Sequence, residues 1–227
     1  MTGKKNSPLR RMKTISNPPY LQVALDCVTS KEAMRLTLEL PENENLLIEA
    51  GTPLIKAEGI SIIQSIRDKK KDVYIIADLK TLDVGALEVN LAKKSTANAA
   101  TVSGLASNST IDSFVEACIA QEIDSIVDMM NCDEPVKILS SLKELPTIAL
   151  LHRGIDMESD TEHAWNKVVH IKESFPDIKV AVAGGLLIDN VEPALEAGAD
   201  IFIVGRAITA SENVKKAATD FLEALRR

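Results

Sequence analysis

The sequence predicts an eight-stranded parallel (β/α)8 barrel, an α/β fold of the TIM-barrel class, and two patterns carry this prediction. Eight short runs rich in Val, Ile, Leu and Ala are apolar on both faces, as expected of strands buried on both sides of a parallel sheet. Amphipathic stretches separate these runs, as expected of surface helices. Eight strand–helix units in a chain of 227 residues favour closure into a barrel. A doubly wound open sheet is the alternative that these patterns leave open.

The predicted strands follow one another at spacings that leave room for one helix each. In chain order they are LQVALD (21–26), NLLIEAG (45–51), VYIIADLK (73–80), AATVSG (99–104), SIVDMM (125–130), TIALLHRG (147–154), VAVAGG (180–185) and IFIVGR (201–206). The clearest helical segments are SKEAMRLTLEL (30–40), STIDSFVEACIAQ (109–121), HAWNKVVHIKES (163–174) and SENVKKAATDFLEALRR (211–227). Ser30 and Ser109 precede acidic residues in the manner of helix N-caps, so we expect helices to begin there.

Composition places the chain among ordinary globular proteins. Hydrophobic residues make up 45% and charged residues 26%, while aromatic residues reach only 3%, so aliphatic side chains must build the core. The three cysteines have no metal-binding or redox spacing, which indicates reduced thiols. We find no apolar run long enough to span a membrane and no signal-peptide core, and we therefore expect a cytoplasmic protein without membrane contact.

Charge divides the chain into two parts. Residues 1–18 contain five basic residues and no acidic one, and we expect them to form a flexible basic tail. Residues 19–227 are predicted to form a single barrel domain. Because the whole chain carries a net charge of −7, this domain stands at −12 (−7 minus 5). This acidic domain argues against a nucleic-acid partner, and an anionic substrate would have to be held by local donors.

Polar residues and glycines end seven of the eight predicted strands. They are Asp26, Glu49, Asp78, Asp128, His152, Gly184-Gly185 and Gly205-Arg206. In a barrel these C-terminal strand ends meet on one face, where the active sites of this fold are built. The pattern therefore predicts an enzyme. A non-catalytic binding barrel is the rival hypothesis, and it would not require carboxylates at the strand ends.

The segment ADLKTLD places a cation between carboxylates at the end of the third strand. Asp78 and Lys80 are two residues apart and would point to the same side of a strand, while Asp83 falls in the following loop or first helical turn. A lysine among carboxylates keeps its charge. It would therefore act as an electrostatic stabiliser or proton donor rather than as a Schiff-base nucleophile.

Glu49 and His152 end two further strands. Glu49, one strand away from Asp78, would give the site a second hard oxygen ligand, which suits Mg²⁺ because this ion usually takes one or two protein carboxylates. A salt bridge between Glu49 and Lys80 is the simpler alternative. His152 stands at the end of the sixth strand, where general acid/base chemistry is expected.

The seventh predicted strand ends in a pair of glycines, and the eighth ends in a glycine followed by an arginine. Loops after these two strands often form the phosphate site of a (β/α)8 barrel. Gly184, Gly185 and Gly205 would let the backbone approach a phosphate, and Arg206 would supply bidentate charge. Ordinary tight turns are the alternative. The pattern favours a phosphorylated substrate.

Taken together, these motifs resemble a known family. LQVALD, EAGTPLIKAEG, ADLKTLDVG, HRGID, AVAGG and IVGRAI resemble the orotidine-monophosphate-decarboxylase-like barrels and, among them, the archaeal 3-hexulose-6-phosphate synthases. The resemblance extends from about Tyr20 to the C-terminus. It implies a Mg²⁺-dependent aldol reaction between formaldehyde and D-ribulose 5-phosphate through an enediolate, or the reverse cleavage.

The resemblance also implies individual roles. Glu49 and Asp78 would bind Mg²⁺, for which Mn²⁺ could substitute, and Asp26 and Lys80 would hold substrate hydroxyls and the enediolate oxygen. Asp83 would reach into the active site of the neighbouring subunit, so a homodimer is implied. His152 would transfer protons. The three glycines and Arg206 would hold the phosphate.

Differences from related enzymes favour the synthase. Orotidine-monophosphate decarboxylases usually carry a lysine where Glu49 stands, and 3-keto-L-gulonate-6-phosphate decarboxylases usually carry a second arginine where Ile155 stands. Ribulose-phosphate epimerases need histidines on several strands, and here only His152 qualifies. Decarboxylation of 3-keto-L-gulonate 6-phosphate or of orotidine monophosphate remains the alternative activity.

Overall fold

The computed structural model describes residues 15–154 and 165–226. Eight parallel strands close into one barrel in chain order. They are β1 (Tyr20–Leu25), β2 (Leu46–Ala50), β3 (Tyr74–Thr81), β4 (Ala99–Ser103), β5 (Asp124–Asp128), β6 (Ile148–His152), β7 (Lys179–Ala183) and β8 (Ile201–Val204). The predicted (β/α)8 fold is confirmed. The open-sheet alternative is wrong, because β1 pairs with β8, beginning at Tyr20 opposite Ile201.

Helices cover the outside of the barrel. They are α1 (Ser30–Glu39), α2 (Thr52–Glu58), α3 (Ile62–Lys69), α4 (Gly85–Lys94), α5 (Asn108–Gln121), α6 (Pro135–Ser140), α7 (Trp165–Ser174), α8 (Val191–Glu196), α9 (Arg206–Thr209) and α10 (Val214–Ala224), with a 3-10 turn at Ile188–Asn190. The helix predicted over 163–174 corresponds to α7, and its first two residues lie outside the described ranges. No helix within those ranges is long and apolar enough to cross a membrane.

Two helices are capped by residues just before the predicted ones. Thr29 has extended backbone angles, and its side chain accepts a hydrogen bond from the Glu32 N–H at the start of α1. Ser107 does the same for the Thr110 N–H at the start of α5. Because an N-cap must leave the helical conformation while its oxygen faces the first turn, Thr29 and Ser107 take this role, and Ser30 lies inside its helix.

The hydrophobic core has two layers separated by the sheet. The larger layer packs strands against helices, and the smaller one fills the barrel with residues such as Leu47, Tyr74, Ile76, Ile126, Ile148, Ile201 and Ile203. The inside of the barrel is therefore packed rather than hollow, as is usual for this fold. The side chains at the C-terminal ends of the strands lie above this packed interior. The candidate site is therefore confined to the barrel mouth.

The opposite end of the barrel is closed by the residues that precede β1. Ile15 is buried in the barrel-interior cluster, and the backbone N–H of Asn17 donates to the Tyr20 hydroxyl. Residues 1–14, which contain all five basic residues of the predicted tail, lie outside the described part of the chain.

Candidate active site

The centre of the site is the ammonium group of Lys80. Its Nζ lies 2.7 Å from Asp78 Oδ2 and 3.0 Å from Asp128 Oδ2. Both carboxylates are buried, and the lysine side chain is only 23% exposed. Burial opposes the charge, but Asp78 and Asp128 outweigh it and raise the pKa of Lys80. The lysine therefore remains a cation, which is the state that its predicted electrostatic role requires.

Asp78 and Lys80 meet for a reason different from the predicted one. Regular strand geometry was expected to point both side chains the same way. Instead Lys80 has a left-handed backbone (φ 45°), and the pairing of β3 with β4 is interrupted between Ala77 and Thr81. Such a conformation costs roughly 1–2 kcal/mol for a residue with a side chain, and it persists only where the surroundings hold it.

Two threonines fix the Asp78 carboxylate. The Thr52 hydroxyl, at the start of α2, lies 2.6 Å from Asp78 Oδ2 and 2.9 Å from the Asp78 carbonyl oxygen. The Thr101 hydroxyl, on β4, lies 2.8 Å from Asp78 Oδ1. With Lys80 on Oδ2 as well, both oxygens of this carboxylate have defined partners. Neither threonine was predicted to belong to the site.

Asp128 joins the lysine to the histidine. Its Oδ2 lies 3.1 Å from His152 Nδ1, and its Oδ1 accepts the backbone N–H of Met130 at 2.9 Å. Burial disfavours ionisation, but the hydrogen bond from His152 and the positive charges of His152 and Lys80 prevail and lower the pKa of Asp128. Because an ionised carboxylate only accepts, Nδ1 donates and Nε2 is left for chemistry. Asp128 ended a predicted strand but was given no role there, since its two partners lie on other strands.

Glu49 and Asp26 add negative charge beside this array. Glu49 is buried, and the Gln22 amide donates to its Oε2. Burial together with the charges of Asp78 and Asp26 raises the pKa of Glu49 well above its usual value. Asp26 lies exposed at the barrel mouth. Partial desolvation and the charge of Asp78 raise its pKa, while the positive charges of Lys80, His152 and Arg206 act in the opposite direction. The predicted alternative, a direct Glu49–Lys80 salt bridge, is not among the ion pairs of Lys80 with described residues, which are Asp78 and Asp128.

These carboxylates fit a hard divalent cation. Besides burial, the charge of Asp78 raises the pKa of both Asp26 and Glu49, and the charge of Lys80 opposes this effect. Carboxylate oxygens are the ligands that Mg²⁺ prefers, and it needs only one or two from the protein. A closed cage is absent: within residues 15–154 and 165–226 no three Asp, Glu, His or Cys side chains are grouped to hold a metal by themselves. An open site completed by substrate oxygens and water matches this donor set.

Asp83 lies apart from the array. It is exposed in the loop after β3, and its Oδ1 accepts the backbone N–H of the next residue, Val84, at 2.8 Å. The structure therefore brings together Asp26, Glu49, Asp78, Lys80 and His152, but it does not bring Asp83 to the same site.

Backbone rather than side chains shapes the opposite side of the mouth. Gly184 and Gly185, after β7, both have left-handed backbones (φ 101° and 63°). A Cβ on Gly184 would lie 2.0 Å from the Arg153 carbonyl oxygen, and the Arg153 guanidinium donates to the Gly184 carbonyl at 3.1 Å. This position therefore requires glycine.

Gly205 and Arg206 complete that side after β8. Arg206 begins the short helix α9, and its positive charge acts on Asp26. A Cβ on Gly205 would stand 3.6 Å from Asp26 Oδ2, an ordinary contact. Gly51 is tighter, since a Cβ there would lie 2.2 Å from Asp26 Oδ1. Nothing in the sequence around Gly51 indicated that this glycine lies against Asp26.

The sequence is similar to that of known proteins over most of its length. The sequence pattern of the "Orotidine 5'-phosphate decarboxylase / HUMPS family" matches residues 19–221. A "Bifunctional enzyme Fae/Hps" from Methanothrix thermoacetophila is 46% identical over 217 residues, which are 96% of this chain and 55% of that protein. The chain thus spans about half the length of the curated relatives it matches.

Two solved structures are similar over almost their whole length. A 3-hexulose-6-phosphate synthase is 31% identical, with a TM-score of 0.83 over 91% of this chain and 99% of that one. The 3-hexulose-6-phosphate synthase from Salmonella typhimurium is 28% identical, with a TM-score of 0.84 over 91% of this chain and 98% of that one. The chain therefore belongs to the orotidine 5'-phosphate decarboxylase / HUMPS family.

Proposed function

We propose that the protein catalyses the aldol condensation of formaldehyde with D-ribulose 5-phosphate, or the reverse cleavage. The observation that carries this proposal is the charged array at the barrel mouth, in which Lys80 is held between Asp78 and Asp128 and His152 is held by Asp128. The similarity to two structures of 3-hexulose-6-phosphate synthase supports the choice of substrates.

The reaction needs a stabilised carbanion equivalent. Removal of a proton from C1 of the hydroxyketone gives an enediolate, whose C1 forms a bond to the formaldehyde carbon. The resulting alkoxide then takes up a proton, so no proton is gained or lost overall. The cation of Lys80, fixed in a site of low solvent access, would stabilise the developing oxyanion, and Asp26 would accept a hydrogen bond from a substrate hydroxyl.

His152 would carry the proton. Its Nδ1 is bound to Asp128, which sets the orientation of the ring and leaves Nε2 able to accept or return a proton. This arrangement assigns Asp128 to positioning the histidine and to balancing Lys80. On the other side of the mouth, Gly184, Gly185, Gly205 and Arg206 would hold the phosphate group.

We also propose that Glu49 and Asp78 hold Mg²⁺, for which Mn²⁺ could substitute. When bound, the ion would polarise the oxygens of the hydroxyketone and make its C1 proton more acidic. The raised pKa of buried Glu49 supports this role, because a divalent cation would offset the repulsion among the acidic groups.

A substrate panel tests the proposed activity. Purified protein with Mg²⁺ is given ribulose 5-phosphate plus formaldehyde, 3-keto-L-gulonate 6-phosphate, or orotidine monophosphate, with and without a chelator. Formaldehyde consumption that requires ribulose 5-phosphate and stops with the chelator is expected. Turnover of only a decarboxylation substrate would overturn the assignment in favour of a related activity, and full activity after exhaustive metal removal would contradict the metal role.

We further propose a homodimer. Five exposed apolar side chains lie after β3, on α4 and after β4, and we call them the apolar patch: Leu82, Val84, Leu87, Leu91 and Leu105. Large exposed apolar patches are typical of protein interfaces, and we propose that these five side chains form one. Asp83 lies within the same loop as the first two of these residues and outside its own site, so a second copy would bring its carboxylate to the neighbouring mouth.

Mixing two inactive variants tests this shared site. Lys80→Gln and Asp83→Asn are each expected to be inactive as pure dimers. If Asp83 acts across the interface, random exchange of subunits restores one site in each mixed dimer, or roughly a quarter of wild-type activity. A mixture of Lys80→Gln and His152→Gln is the control and should stay inactive. No recovery in the first mixture, or a monomeric wild-type protein by light scattering, would contradict the proposal.

Location inside the cytoplasm is part of the same proposal. The thiols of Cys27, Cys118 and Cys132 are all free, which suits a reducing compartment.

A further inference from the structure

The pairing of β3 with β4 is interrupted at the residues that build the candidate site. Ala77 pairs with Ala100, and Thr81 pairs with Val102, so residues 78–80 of β3 face only Thr101 on β4. The neighbouring pair, β4 with β5, has no such interruption and matches one residue to one from Ala99 to Ser103. Three residues of β3, 78–80, therefore lie opposite a single residue of β4, Thr101.

The interruption removes the usual ladder partner of the Lys80 backbone. The Lys80 N–H donates instead to the Thr101 hydroxyl oxygen at 2.9 Å. Lys80 has its left-handed backbone at this same point. A side chain on β4 thus takes the place of a backbone carbonyl and holds a conformation that an L-residue rarely adopts.

The same hydroxyl also binds the Asp78 carboxylate. Since the oxygen accepts from the Lys80 N–H and an ionised carboxylate can only accept, the Thr101 hydroxyl proton is donated to Asp78 Oδ1, at 2.8 Å. Thr101 is 2% exposed, so water cannot readily replace it. One hydroxyl therefore connects the backbone of Lys80 to the carboxylate that pairs with its ammonium group.

We propose that Thr101 is a positioning residue for the aldol reaction: its hydroxyl holds the Lys80 backbone and the Asp78 carboxylate in the one arrangement that places the ammonium group between Asp78 and Asp128. This inference rests on the proposed function for its catalytic consequence. Without the hydroxyl, the Lys80 N–H and Asp78 Oδ1 both lose their buried partner. Lys80 can then leave the left-handed region, and the carboxylate can rotate.

The first experiment compares Thr101→Val with Thr101→Ser. Valine keeps the shape and removes the hydroxyl, whereas serine keeps the hydroxyl and removes a methyl group. We expect Thr101→Val to lower kcat about 10- to 100-fold, as for loss of a hydrogen bond to a charged group, while KM for ribulose 5-phosphate stays within about 3-fold because the phosphate is held elsewhere. Thr101→Ser should remain within about 3-fold of the wild-type kcat.

Thr37→Val is the matched control. Thr37 is also a fully buried threonine, and its hydroxyl donates to the Ala33 carbonyl within α1, away from the mouth. The Thr37→Val variant should be less stable than the wild-type protein but should keep the wild-type kcat. A wild-type kcat in Thr101→Val, an equal loss in Thr101→Ser, or an equal loss in Thr37→Val would each overturn the inference. If Thr101→Val does not fold, Thr101→Ala also removes the hydroxyl and takes its place.

Two readouts separate this inference from the proposed function. Crystal structures should show that Thr101→Val moves Lys80 out of the left-handed region and that Thr101→Ser does not. Binding of Mn²⁺, followed by electron paramagnetic resonance, should weaken at least about 5-fold in Thr101→Val only, because Asp78 is displaced. If wild-type protein fails to condense the two substrates, the proposed function is wrong. Unchanged Lys80 and Asp78 geometry in Thr101→Val would instead make the role of Thr101 wrong.

Discussion

The two sides of the barrel mouth are built in different ways. On one side, charged side chains at the ends of β3, β5 and β6 hold one another, with Lys80 between Asp78 and Asp128 and His152 bound to Asp128. After β7 and β8, glycines with left-handed or unhindered backbones shape the surface. A reacting group must be placed to a fraction of an ångström among fixed charges, whereas a phosphate needs open space and donors. Under the proposed function, the charged side would receive the reacting end of the sugar phosphate and the glycine side its phosphate group.

This comparison predicts its largest effect for Asp78→Asn. The substitution removes the charge that pairs with Lys80 while keeping a similar shape, so we expect turnover to fall at least about 10²-fold. The barrel should remain folded by circular dichroism. Asp68→Asn, at an exposed position on α3, is the control and should have no effect. If Asp78→Asn turned over at the wild-type rate, the charged side would have no role in the mechanism.

An intermediate effect is expected on the glycine side. Arg206→Ala removes a cation that would bind the phosphate, so KM for ribulose 5-phosphate should rise about 10- to 100-fold. The kcat should change less than in Asp78→Asn, because the reacting groups are untouched. Arg206→Lys keeps the charge and should recover part of the loss. If kcat falls more than KM rises, the division of the mouth into a reacting side and a phosphate side is wrong.

The smallest effect concerns stability, and it has the opposite sign to the effect on activity. Glu49→Gln should abolish the proposed activity yet raise the melting temperature of metal-free protein by a few degrees, since about 1 kcal/mol corresponds to 2–4 °C in a chain of this size. Glutamine keeps an oxygen for the Gln22 amide and removes a buried charge. Such a gain would sharpen the comparison, because it would mean that the charged side gives up stability for function.

The stability gained in Glu49→Gln should depend on pH, and the direction of this dependence can be predicted. Burial raises the pKa of Glu49 above its ordinary 4.5, so the folded protein keeps the proton to a higher pH than the unfolded chain does. The unfolded chain therefore binds fewer protons in this window, and stability falls as pH rises above about 4.5. Calorimetry should show a larger gain from Glu49→Gln at pH 8 than at pH 5. An equal gain at both values would contradict the burial of a charged Glu49.

Much of the fold and part of the site followed from the sequence. Eight runs that are apolar on both faces predicted the barrel, because a strand buried on both sides must be apolar throughout. Asp26, Glu49, Asp78 and His152 were predicted at the barrel mouth, because polar residues at the C-terminal ends of parallel strands meet on one face. Their individual chemical roles stay predictions.

Other parts of the site could not be predicted in this way. Sequence spacing placed Lys80 between Asp78 and Asp83, but the structure places it between Asp78 and Asp128. Asp128 lies on β5, and its distance from Lys80 depends on how the barrel closes. Ile155, which entered the comparison with related decarboxylases, lies outside the described residues.

Hydrophobic periodicity was enough to predict the barrel and the face on which its polar residues meet, because this pattern is local and can be recognised from neighbouring positions. How those residues hold one another depends on the folded chain. The Thr101 hydroxyl, the left-handed Lys80 backbone and the interrupted pairing of β3 with β4 arise where two strands fail to match. Such a mismatch depends on contacts between residues far apart in the chain.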